Sequence, residues 1–333
     1  MIPFLQLVSL FLTTMRILSG IQPSGTLHLG NYFGMMKPAI EWQDRGEALY
    51  FIADLHALTT VQDAAELRSN VRDVAVDFLA CGLDPAKACF FQQSQVPAIT
   101  ELAWILSTLT PMGLLERCHS YKDKLAKGLA PTHGLFAYPV LMAADILIYD
   151  SDVVPVGKDQ KQHIEVARDL VLKFNDTFGD TLKLPEPSIP DHTAVVPGLD
   201  GEKMSKSYRN TIGMFEEEKS LRKKIMSLKT DSSPMEAPKP VENSTLLDLY
   251  KLVASPSDHS QMVAEFLAGG IGYGDFKKRL FGAIWEYFGP MRTRREEILA
   301  HPDLVDTVLR EGREKANGIA DGVMARVRTA VGL

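Results

Sequence analysis

Two distant stretches of the chain carry residues suited to binding phosphate. The first is GIQPSGTLHLGNYFG, residues 20–34, which follows a short apolar segment and runs into a helical pattern. We expect His28 at the start of that helix, where free N–H groups and the positive end of the helix dipole attract phosphate. Gly25 and Gly30 would let the backbone approach a ligand, and His28 would add a donor that faces an oxyanion. By itself, the pattern also fits a glycine-rich turn with a surface histidine.

The second stretch is GLDGEKMSKS, residues 198–207, a glycine-bearing loop with two lysines three residues apart. Lysine is a mobile point charge that can follow a moving polyphosphate, so Lys203 and Lys206 are candidate catalytic residues. A solvated basic loop is the alternative interpretation. The segment KDKLAKG, residues 122–128, has no regular periodicity and makes Lys122 and Lys124 further candidates for contacting phosphate, although a solvated loop is again the alternative.

One carboxylate lies in an otherwise apolar segment. Residues 135–149, LFAYPVLMAADILIY, contain a single charged residue, Asp145. Because an unsatisfied buried charge costs several kcal/mol, we expect this carboxylate to be paired with an Arg or Lys or to accept a ligand N–H. Tyr138, Met142 and Asp145 have the spacing i, i+4, i+7 and should line one helix face.

Strand and helix patterns alternate through the first half of the chain. Strands are predicted at residues 16–19, 47–54, 88–92 and 152–156, with helices ending near residues 44, 82, 109 and 121. Pro38 is expected to bend the first helix. This rhythm predicts an α/β fold with a doubly wound parallel sheet. Ligands of such sheets gather beyond the carboxyl ends of the strands, where His56, Asp159 and Gln160 would lie. Asp159 would accept from ribose hydroxyls, and Gln160 would hold an amino-acid ammonium.

The composition is that of an ordinary globular protein with one large or two modest domains. The 333 residues are 45% hydrophobic and 23% charged, and the net charge is −6. Any RNA contact must therefore come from a local basic surface. Three cysteines without CxxC spacing predict reduced cytosolic thiols and no disulfide or zinc framework. Residues 1–14 are apolar but lack a basic n-region, so we interpret them as an extension outside the fold, with Met15 an equally good start.

The HLGN and KMSKS segments together resemble the paired signatures of class I aminoacyl-tRNA synthetases, in which the two motifs embrace ATP. Residues 15–333 resemble the bacterial tryptophanyl-tRNA synthetases along their whole length, in the segments GIQPSG, HLGN, YPVLMAADIL, VPVGKDQKQH, KMSKS and GYGDFK. Asn31 replaces the commoner second histidine, a variation that resembles one branch of the class. Met142 stands where tyrosyl enzymes place glutamine, and a polarizable thioether suits an indole face.

The resemblance implies activation of L-tryptophan with ATP and Mg²⁺, without a dedicated metal site, followed by transfer to tRNA(Trp). It implies that His28, Lys203, Lys206 and Lys124 act in catalysis. It implies an ATP site formed by Gln22, Pro23, Ser24, His28, Gly30, Asn31, Gly157, Lys158, Asp159, Val195, Lys203, Met204, Ser205, Lys206 and Ser207. It implies a tryptophan pocket formed by Asp145, Met142, His56, Tyr138, Gln160, Val154 and Val156. Relatives carry other residues where this chain has Leu18 and Lys158.

The resemblance also implies a division of the chain. Residues 15–200 would form a Rossmann-type class I synthetase catalytic domain, and residues 201–300 a second, all-helical anticodon-binding domain that begins at the KMSKS loop. Residues 301–333 would form a helix returning to the catalytic domain. Candidate phosphate contacts are Lys277, Lys278, Arg279, Arg292, Arg294 and Arg295. The implied protein is a cytoplasmic homodimer without a membrane or DNA partner. A tyrosine-specific relative and a non-catalytic RNA-binding paralogue remain alternatives.

Overall fold

A five-stranded parallel sheet lies at the centre of the structure, a computed structural model that describes residues 15–118, 122, 128, 132–155, 161–188 and 196–333. The strands are β1 (Arg16–Ile21), β2 (Glu47–Ile52), β3 (Ala88–Gln92), β4 (Val153–Pro155) and β5 (Glu186–Ser188). Their spatial order is β3-β2-β1-β4-β5, and every pairing is parallel. The predicted parallel α/β sheet is confirmed.

Strand β5 is absent from the prediction made on the sequence. It has three residues, and Pro187 at its centre lies opposite Val154 of β4. Proline cannot donate to a ladder, so it is confined to edge strands, and β5 is an edge strand. The sequence pattern missed β5 because a short strand with a central proline has neither alternation nor an apolar run.

Helices cover both faces of the sheet, as a doubly wound fold requires. Their bounds are α1 (Leu29–Asn31), α2 (Lys37–Trp42), α3 (Asp54–Ala57), α4 (Ala64–Ala80), α5 (Ala98–Leu109), α6 (Met112–Glu116), α7 (His133–Leu147), α8 (Lys161–Phe178), α9 (Glu218–Met226), α10 (Thr245–Val253), α11 (Pro256–Ala268), α12 (Tyr273–Tyr287), α13 (Gly289–Ala300) and α14 (Pro302–Val331). None of the helices in the described ranges is both long and apolar enough to cross a membrane.

Each face of the sheet has its own hydrophobic core. On one face, Tyr50 and Phe90 pack in a cluster with Phe78 of α4, and this cluster continues into α9, α10, α11, α12 and α13. On the other face, Leu49 and Phe91 pack with α5, α7, α8 and the second half of α14. Alternate strand residues enter opposite cores because successive side chains of a strand point to opposite faces.

The first helix widens instead of simply bending. Between α1 and α2, residues Tyr32–Met36 form a π-helical segment. Pro38, at the start of α2, lacks an N–H and its ring clashes with the carbonyl four residues earlier. The wider π-helical turn before the proline relieves that conflict. It also changes the direction of the helix axis between α1 and α2 relative to a regular α-helix.

Capping residues and prolines in the sequence predicted most of the other helix ends. The carboxylate of Asp63 accepts the Glu66 N–H at 2.8 Å at the start of α4, as its capping sequence predicts. Helix α14 begins at Pro302, one residue after the start of the predicted range 301–333. Helix α6 ends at Glu116, which is earlier than the predicted end near residue 121; residues 119–121 lie outside the described residues.

Helix α14 packs closely against β3. A Cβ on Gly312 would lie 1.8 Å from the Phe90 carbonyl oxygen, so a side chain at this position would force the helix and the strand apart. The Asn317 side chain donates to the Gln95 carbonyl at 2.9 Å, and Arg328 Nε donates to the Glu101 carboxylate at 2.7 Å. These contacts tie the last helix to the sheet and to α5.

Candidate functional site

The candidate site lies at the carboxyl ends of the strands, beside β1. Chain connections leave β1 towards β2 on one side, whereas β4 lies on the other, and ligands of open α/β sheets bind at such a switch point. Gly20 is exposed although β1 is the central strand. A Cβ on Gly20 would lie 2.4 Å from the ring of Phe51, so glycine at this position leaves room for the Phe51 ring beside the candidate site.

The two predicted phosphate-binding stretches meet here. Lys206 Nζ donates to the Ser24 carbonyl at 2.8 Å, although the two residues are 182 positions apart. A Cβ on Gly30 would lie 2.9 Å from His28 Nδ1 and 3.4 Å from the Met204 Cβ, so Gly30 permits this contact between the segments. We call the space between them, bounded by Ser24, His28, Gly30, Met204 and Lys206, the motif cleft.

The backbone after the KMSKS segment pairs with the first motif. The Leu29 N–H donates to the Ile212 carbonyl at 2.9 Å, and the Met214 N–H donates to the Leu27 carbonyl. An antiparallel bridge joins His28 to Gly213. This pairing fixes the distance between the two motifs. It also corrects one expectation, because the Leu29 amide at the helix start is used within the protein and is not free for phosphate.

His28 and Asn31 cap each other. The Asn31 N–H donates to His28 Nδ1 at 3.3 Å, and the His28 N–H donates to the Asn31 side-chain oxygen at 3.2 Å. Since Nδ1 accepts, the proton of a neutral imidazole must be on Nε2. Asn31 thereby sets the tautomer in which Nε2–H is the remaining donor of His28.

Burial, reinforced by the nearby Lys206 ammonium, lowers the pKa of His28 from 6.5 to about 4. His28 is therefore neutral at physiological pH in the free protein. Burial also lowers the pKa of Lys206. An anion entering the motif cleft would favour the charged forms of both groups.

We expect the protonation of His28 to make the free energy of unfolding depend on pH between pH 6.5 and about 4. The unfolded chain binds a proton in this window that the folded chain does not, so stability falls as pH falls. His28→Gln should lose less stability than the wild type between pH 7 and 5 in urea titrations. In ¹⁵N spectra, the His28 resonances should show the Nε2–H tautomer at pH 7, and titration near pH 6.5 would contradict the assignment.

Asn210 holds the KMSKS loop, and sequence reasoning missed it. Its buried side chain accepts the Ser205 N–H at 2.8 Å and donates to the Asp200 carboxylate at 2.8 Å and to the Lys203 carbonyl at 3.2 Å. A Cβ on Gly198 would lie 2.3 Å from the Asn210 side chain. The only sequence signal is an Asn and a Gly flanking the motif, which is too common a pattern to be specific.

Replacing Asn210 by alanine is expected to lower the rate of the amino-acid activation that the family resemblance implies about ten- to a hundredfold, because three hydrogen bonds worth about 1 kcal/mol each are lost from the loop that carries Lys206. Asn210→Asp keeps the acceptor for Ser205 but repels Asp200, so its rate should lie close to that of the alanine variant. Amino-acid binding, measured by calorimetry, should change little. An unchanged rate in both variants would remove the positioning role.

Among the residues that the structure describes, Asp145 is paired with neither Arg nor Lys. Its carboxylate contacts His56 Nε2 at 2.8 Å and accepts from the Gln93 side chain at 2.6 Å, and the residue is 1% exposed. Burial raises the pKa of Asp145, and the hydrogen bonds from His56 and Gln93 oppose that shift. Each carboxylate oxygen has two acceptor positions, so Asp145 keeps capacity for a ligand N–H.

Gln93 is the second residue that sequence reasoning missed. Its side-chain oxygen accepts the Leu55 N–H at 3.0 Å, which orients its amide nitrogen towards Asp145. Beside it, Asp54 accepts the Ser94 N–H at 2.9 Å. The ends of β2 and β3 are thus joined to α7 by a buried polar network. The only sequence signal for Gln93 was its position at the end of a predicted strand.

The other predicted pocket residues lie around this network. Tyr138 packs edge-on against His56, with ring centroids 6.2 Å apart, and its hydroxyl lies 2.9 Å from His163 Nε2. Met142 is half-buried one turn further along α7. Val154 of β4 is buried in the core beneath the sheet end.

Gln22 connects the pocket with the motif cleft. Its side-chain amide donates to the His56 carbonyl at 3.3 Å, and its own carbonyl accepts the Ser24 N–H at 2.9 Å. Pro23 between them is buried. In the KMSKS segment, the Ser205 hydroxyl accepts the Ser207 N–H, whereas Lys203 and Ser207 are exposed. The remaining predicted site residues lie outside the described residues: Lys124, Val156, Gly157, Lys158, Asp159, Gln160 and Val195.

Comparisons with known proteins identify the family of the chain. The family model described as tRNA synthetases class I (W and Y) matches residues 12–289. The tryptophan--tRNA ligase of Fusobacterium nucleatum is 53% identical over 319 residues, covering 96% of this chain and 98% of that protein. The corresponding ligase of Rhodopirellula baltica is 54% identical, covering 96% of this chain and all of that protein.

Solved structures show the same similarity. The tryptophanyl-tRNA synthetase of Campylobacter jejuni, in complex with ADP and tryptophan, superposes with a TM-score of 0.90 at 48% identity, covering 96% of this chain and 100% of that chain. Matches of this extent and identity cover both motifs and the polar network around Asp145. The chain therefore belongs to the class I tRNA synthetases of the tryptophan and tyrosine group, and within that group to the tryptophan--tRNA ligases.

Proposed function

We propose that the protein activates L-tryptophan with ATP and transfers the tryptophanyl group to the 3′-terminal ribose of tRNA(Trp). In the first step, a tryptophan carboxylate oxygen attacks the ATP α-phosphorus, and the bond from that phosphorus to pyrophosphate breaks. In the second step, a terminal ribose hydroxyl attacks the acyl carbon, and AMP leaves. No side-chain nucleophile is needed, so positioning and charge stabilisation supply most of the catalysis.

The observation that carries the proposal is the closure of the motif cleft. Lys206 reaches across to Ser24, and its charge lies close enough to His28 to lower the pKa of that side chain. Two donors that converge on one space are suited to the charge that grows on departing pyrophosphate. In this proposal His28 Nε2–H and the ammonium groups of Lys203 and Lys206 meet that charge, together with Lys124.

The proposed ATP and tryptophan subsites follow from the positions of the remaining residues. Asp145 would accept the indole N–H, and Tyr138 and Gln160 would hold the α-amino group. Met142, His56, Val154 and Val156 would shape the indole pocket. The adenosine and phosphates would lie along Gln22, Pro23, Ser24, Gly30, Asn31, Gly157, Lys158, Asp159, Val195, Met204, Ser205 and Ser207.

Mg²⁺ would arrive as the ATP complex. The described residues contain no group of three or more His, Cys, Asp or Glu side chains arranged to hold a metal ion, and the side chains around the motif cleft are basic or neutral. The triphosphate oxygens would therefore supply the ligands that Mg²⁺ prefers, and the ion would offset their charge. The protein's own part is to orient the nucleotide with His28, Lys203 and Lys206.

Pyrophosphate exchange with purified protein tests the activity. We expect exchange that requires tryptophan, is not supported by tyrosine, and needs no tRNA. Preference for tyrosine would favour a tyrosine-specific relative. Absence of exchange with either amino acid would favour a non-catalytic RNA-binding paralogue, against which the paired motifs in the cleft argue.

The proposal includes the division into residues 15–200, 201–300 and 301–333, with anticodon binding by the second part. It also includes a homodimer in the cytoplasm. Sedimentation equilibrium tests the dimer, and a monomer at micromolar concentration would contradict it.

A further inference from the structure

The segment that follows the KMSKS loop holds the first motif in place. Ile212 and Met214 form backbone hydrogen bonds, at 2.9 and 3.3 Å, to the residues on either side of His28. Their side chains are buried. We call residues 211–216 the bridging segment. Because its backbone is bonded on both sides of His28, the position of this segment sets the position of the imidazole at the motif cleft.

The Gly213 N–H needs a partner outside this pairing. In an antiparallel pair, residues that exchange hydrogen bonds alternate with residues whose N–H groups point away from the neighbouring strand. Gly213 lies opposite His28, between the two hydrogen bonds, and is therefore of the second kind. It is also buried, and a buried N–H without an acceptor costs free energy comparable to that of a lost hydrogen bond. The bridging segment is stable in this position only if another group accepts the Gly213 N–H.

Glu216 supplies that acceptor. Its Oε1 accepts the Gly213 N–H at 2.7 Å, and its Oε2 accepts the Ser220 hydroxyl of α9 at 2.9 Å. A Cβ on Gly213 would lie 2.8 Å from the Glu216 Cγ, so glycine leaves room for the carboxylate. The Glu216 side chain is 14% exposed, and water has little access to these bonds. The carboxylate thus fixes the bridging segment to the start of α9.

Lys224 of α9 contacts the same segment at a second point. Its ammonium forms an ion pair with Glu216 and donates to the Thr211 carbonyl at 3.0 Å. Hydrogen bonds in which one group is ionised are about twice as strong as neutral ones. The pair therefore holds the bridging segment at Thr211 and Gly213, on either side of the Ile212 bond to the first motif.

We propose that Glu216 is a positioning residue for tryptophan activation, which acts through Gly213 on His28. The inference rests on the proposed function, because it concerns the rate of that reaction. If the Gly213 N–H loses its acceptor, the bridging segment must move to bring this N–H to water, and His28 moves with it. A displacement of about 1 Å at a catalytic group can lower a rate about a hundredfold.

The test compares two substitutions of Glu216. Glu216→Ala removes the acceptor, whereas Glu216→Gln keeps a carbonyl oxygen for the Gly213 N–H and loses only the charge. In pyrophosphate exchange with ATP, Mg²⁺ and tryptophan, the alanine variant should lower kcat about ten- to a hundredfold, with the KM for tryptophan within about twofold of the wild type. The glutamine variant should recover kcat to within about threefold of the wild type.

Glu265→Ala is the matched control. Glu265 of α11 forms an ion pair with Arg279 of α12, and the two side chains are 25% and 35% exposed, compared with 14% and 35% for Glu216 and Lys224. Both alanine variants therefore lose one partly buried ion pair outside the motif cleft. Exchange by Glu265→Ala should match the wild type, so that slower exchange in Glu216→Ala reports the bridging segment and not the loss of an ion pair.

The ¹⁵N spectrum of His28 reports the position of its imidazole without any activity. Burial, followed by the Lys206 charge, lowers the pKa of His28 to about 4, so this pKa should rise towards 6.5 in Glu216→Ala and stay unchanged in Glu216→Gln and Glu265→Ala. Wild-type kcat or an unchanged His28 pKa in Glu216→Ala would overturn the inference, as would equal losses of kcat in Glu216→Ala and either of the other two variants. A wild-type protein without tryptophan-dependent exchange would instead contradict the proposed function, and the His28 titrations would still test the positioning role.

Discussion

Replacing Lys206 by alanine is expected to slow tryptophan-dependent pyrophosphate exchange about 10²–10³-fold. In the free protein, Lys206 Nζ lies against the Ser24 carbonyl and close to His28, at the mouth of the motif cleft. A donor that meets charge developing in the transition state is worth about 2.7–4 kcal/mol. The effect should appear mainly in kcat, because the proposed tryptophan pocket around Asp145 is a different part of the site. Stopped-flow measurement of adenylate formation provides the rate.

Lys229→Ala is the matched control for this change. Lys229 is an exposed lysine after the same loop, and its backbone N–H donates to the Leu199 carbonyl, which alanine preserves. Its exchange rate should equal that of the wild type. Since Lys206 lies at the surface and outside both hydrophobic cores, its removal should not unfold the protein. A Lys206→Ala rate within threefold of the wild type would remove Lys206 from the catalytic role.

Replacing Asp145 by alanine is expected to abolish most of the preference for tryptophan over phenylalanine. A site built around a ligand hydrogen bond rejects the analogue that lacks the donor by about 10⁴–10⁵, whereas pocket shape alone gives about 10–200-fold. The ratio of kcat/KM for the two amino acids in pyrophosphate exchange should therefore fall by two to three orders of magnitude. The ratio is independent of the fraction of folded protein, which matters because His56 and Gln93 would lose their acceptor.

Tyr149→Phe is the control for packing changes near Asp145. Tyr149 lies one turn further along the chain, is fully buried, and its hydroxyl has no hydrogen-bond partner among the described residues. Its selectivity should equal that of the wild type. If Asp145→Ala also keeps wild-type selectivity, the carboxylate is a structural partner of His56 and Gln93 and not the group that recognises indole.

Neither of these expectations could be derived completely from local patterns. The hydrogen bond between Gln93 and Asp145 joins residues 52 positions apart, and the one between Lys206 and Ser24 joins residues 182 positions apart. A pattern of residue types indicates that a buried carboxylate needs a partner, but any polar residue in the chain can satisfy that need. The paired motifs predicted where ATP would bind, but they did not identify Asn210 or Gln93.

By itself, the sequence determined the features that depend on neighbours along the chain. These are the strands with continuous apolar runs, such as Ala88–Gln92, the start of α4 at its Asp63 cap, and the helical face shared by Tyr138, Met142 and Asp145. The family also followed from the sequence, because its motifs are contiguous. Caps, apolar periodicity and proline act over a few residues, so these features are encoded locally.

Only the tertiary structure decided which polar groups are free and which are engaged. It paired Asp145 with His56, bonded Lys277 to the Leu228 carbonyl, and placed Arg295 against Asp77, whereas it left Lys219, Arg222 and Lys223 exposed. The energy of a charge depends on its burial and on the partners within a few ångströms, and packing of distant segments sets both. The sequence therefore determines the chemistry of each side chain, whereas the fold determines whether that side chain is available to bind a ligand.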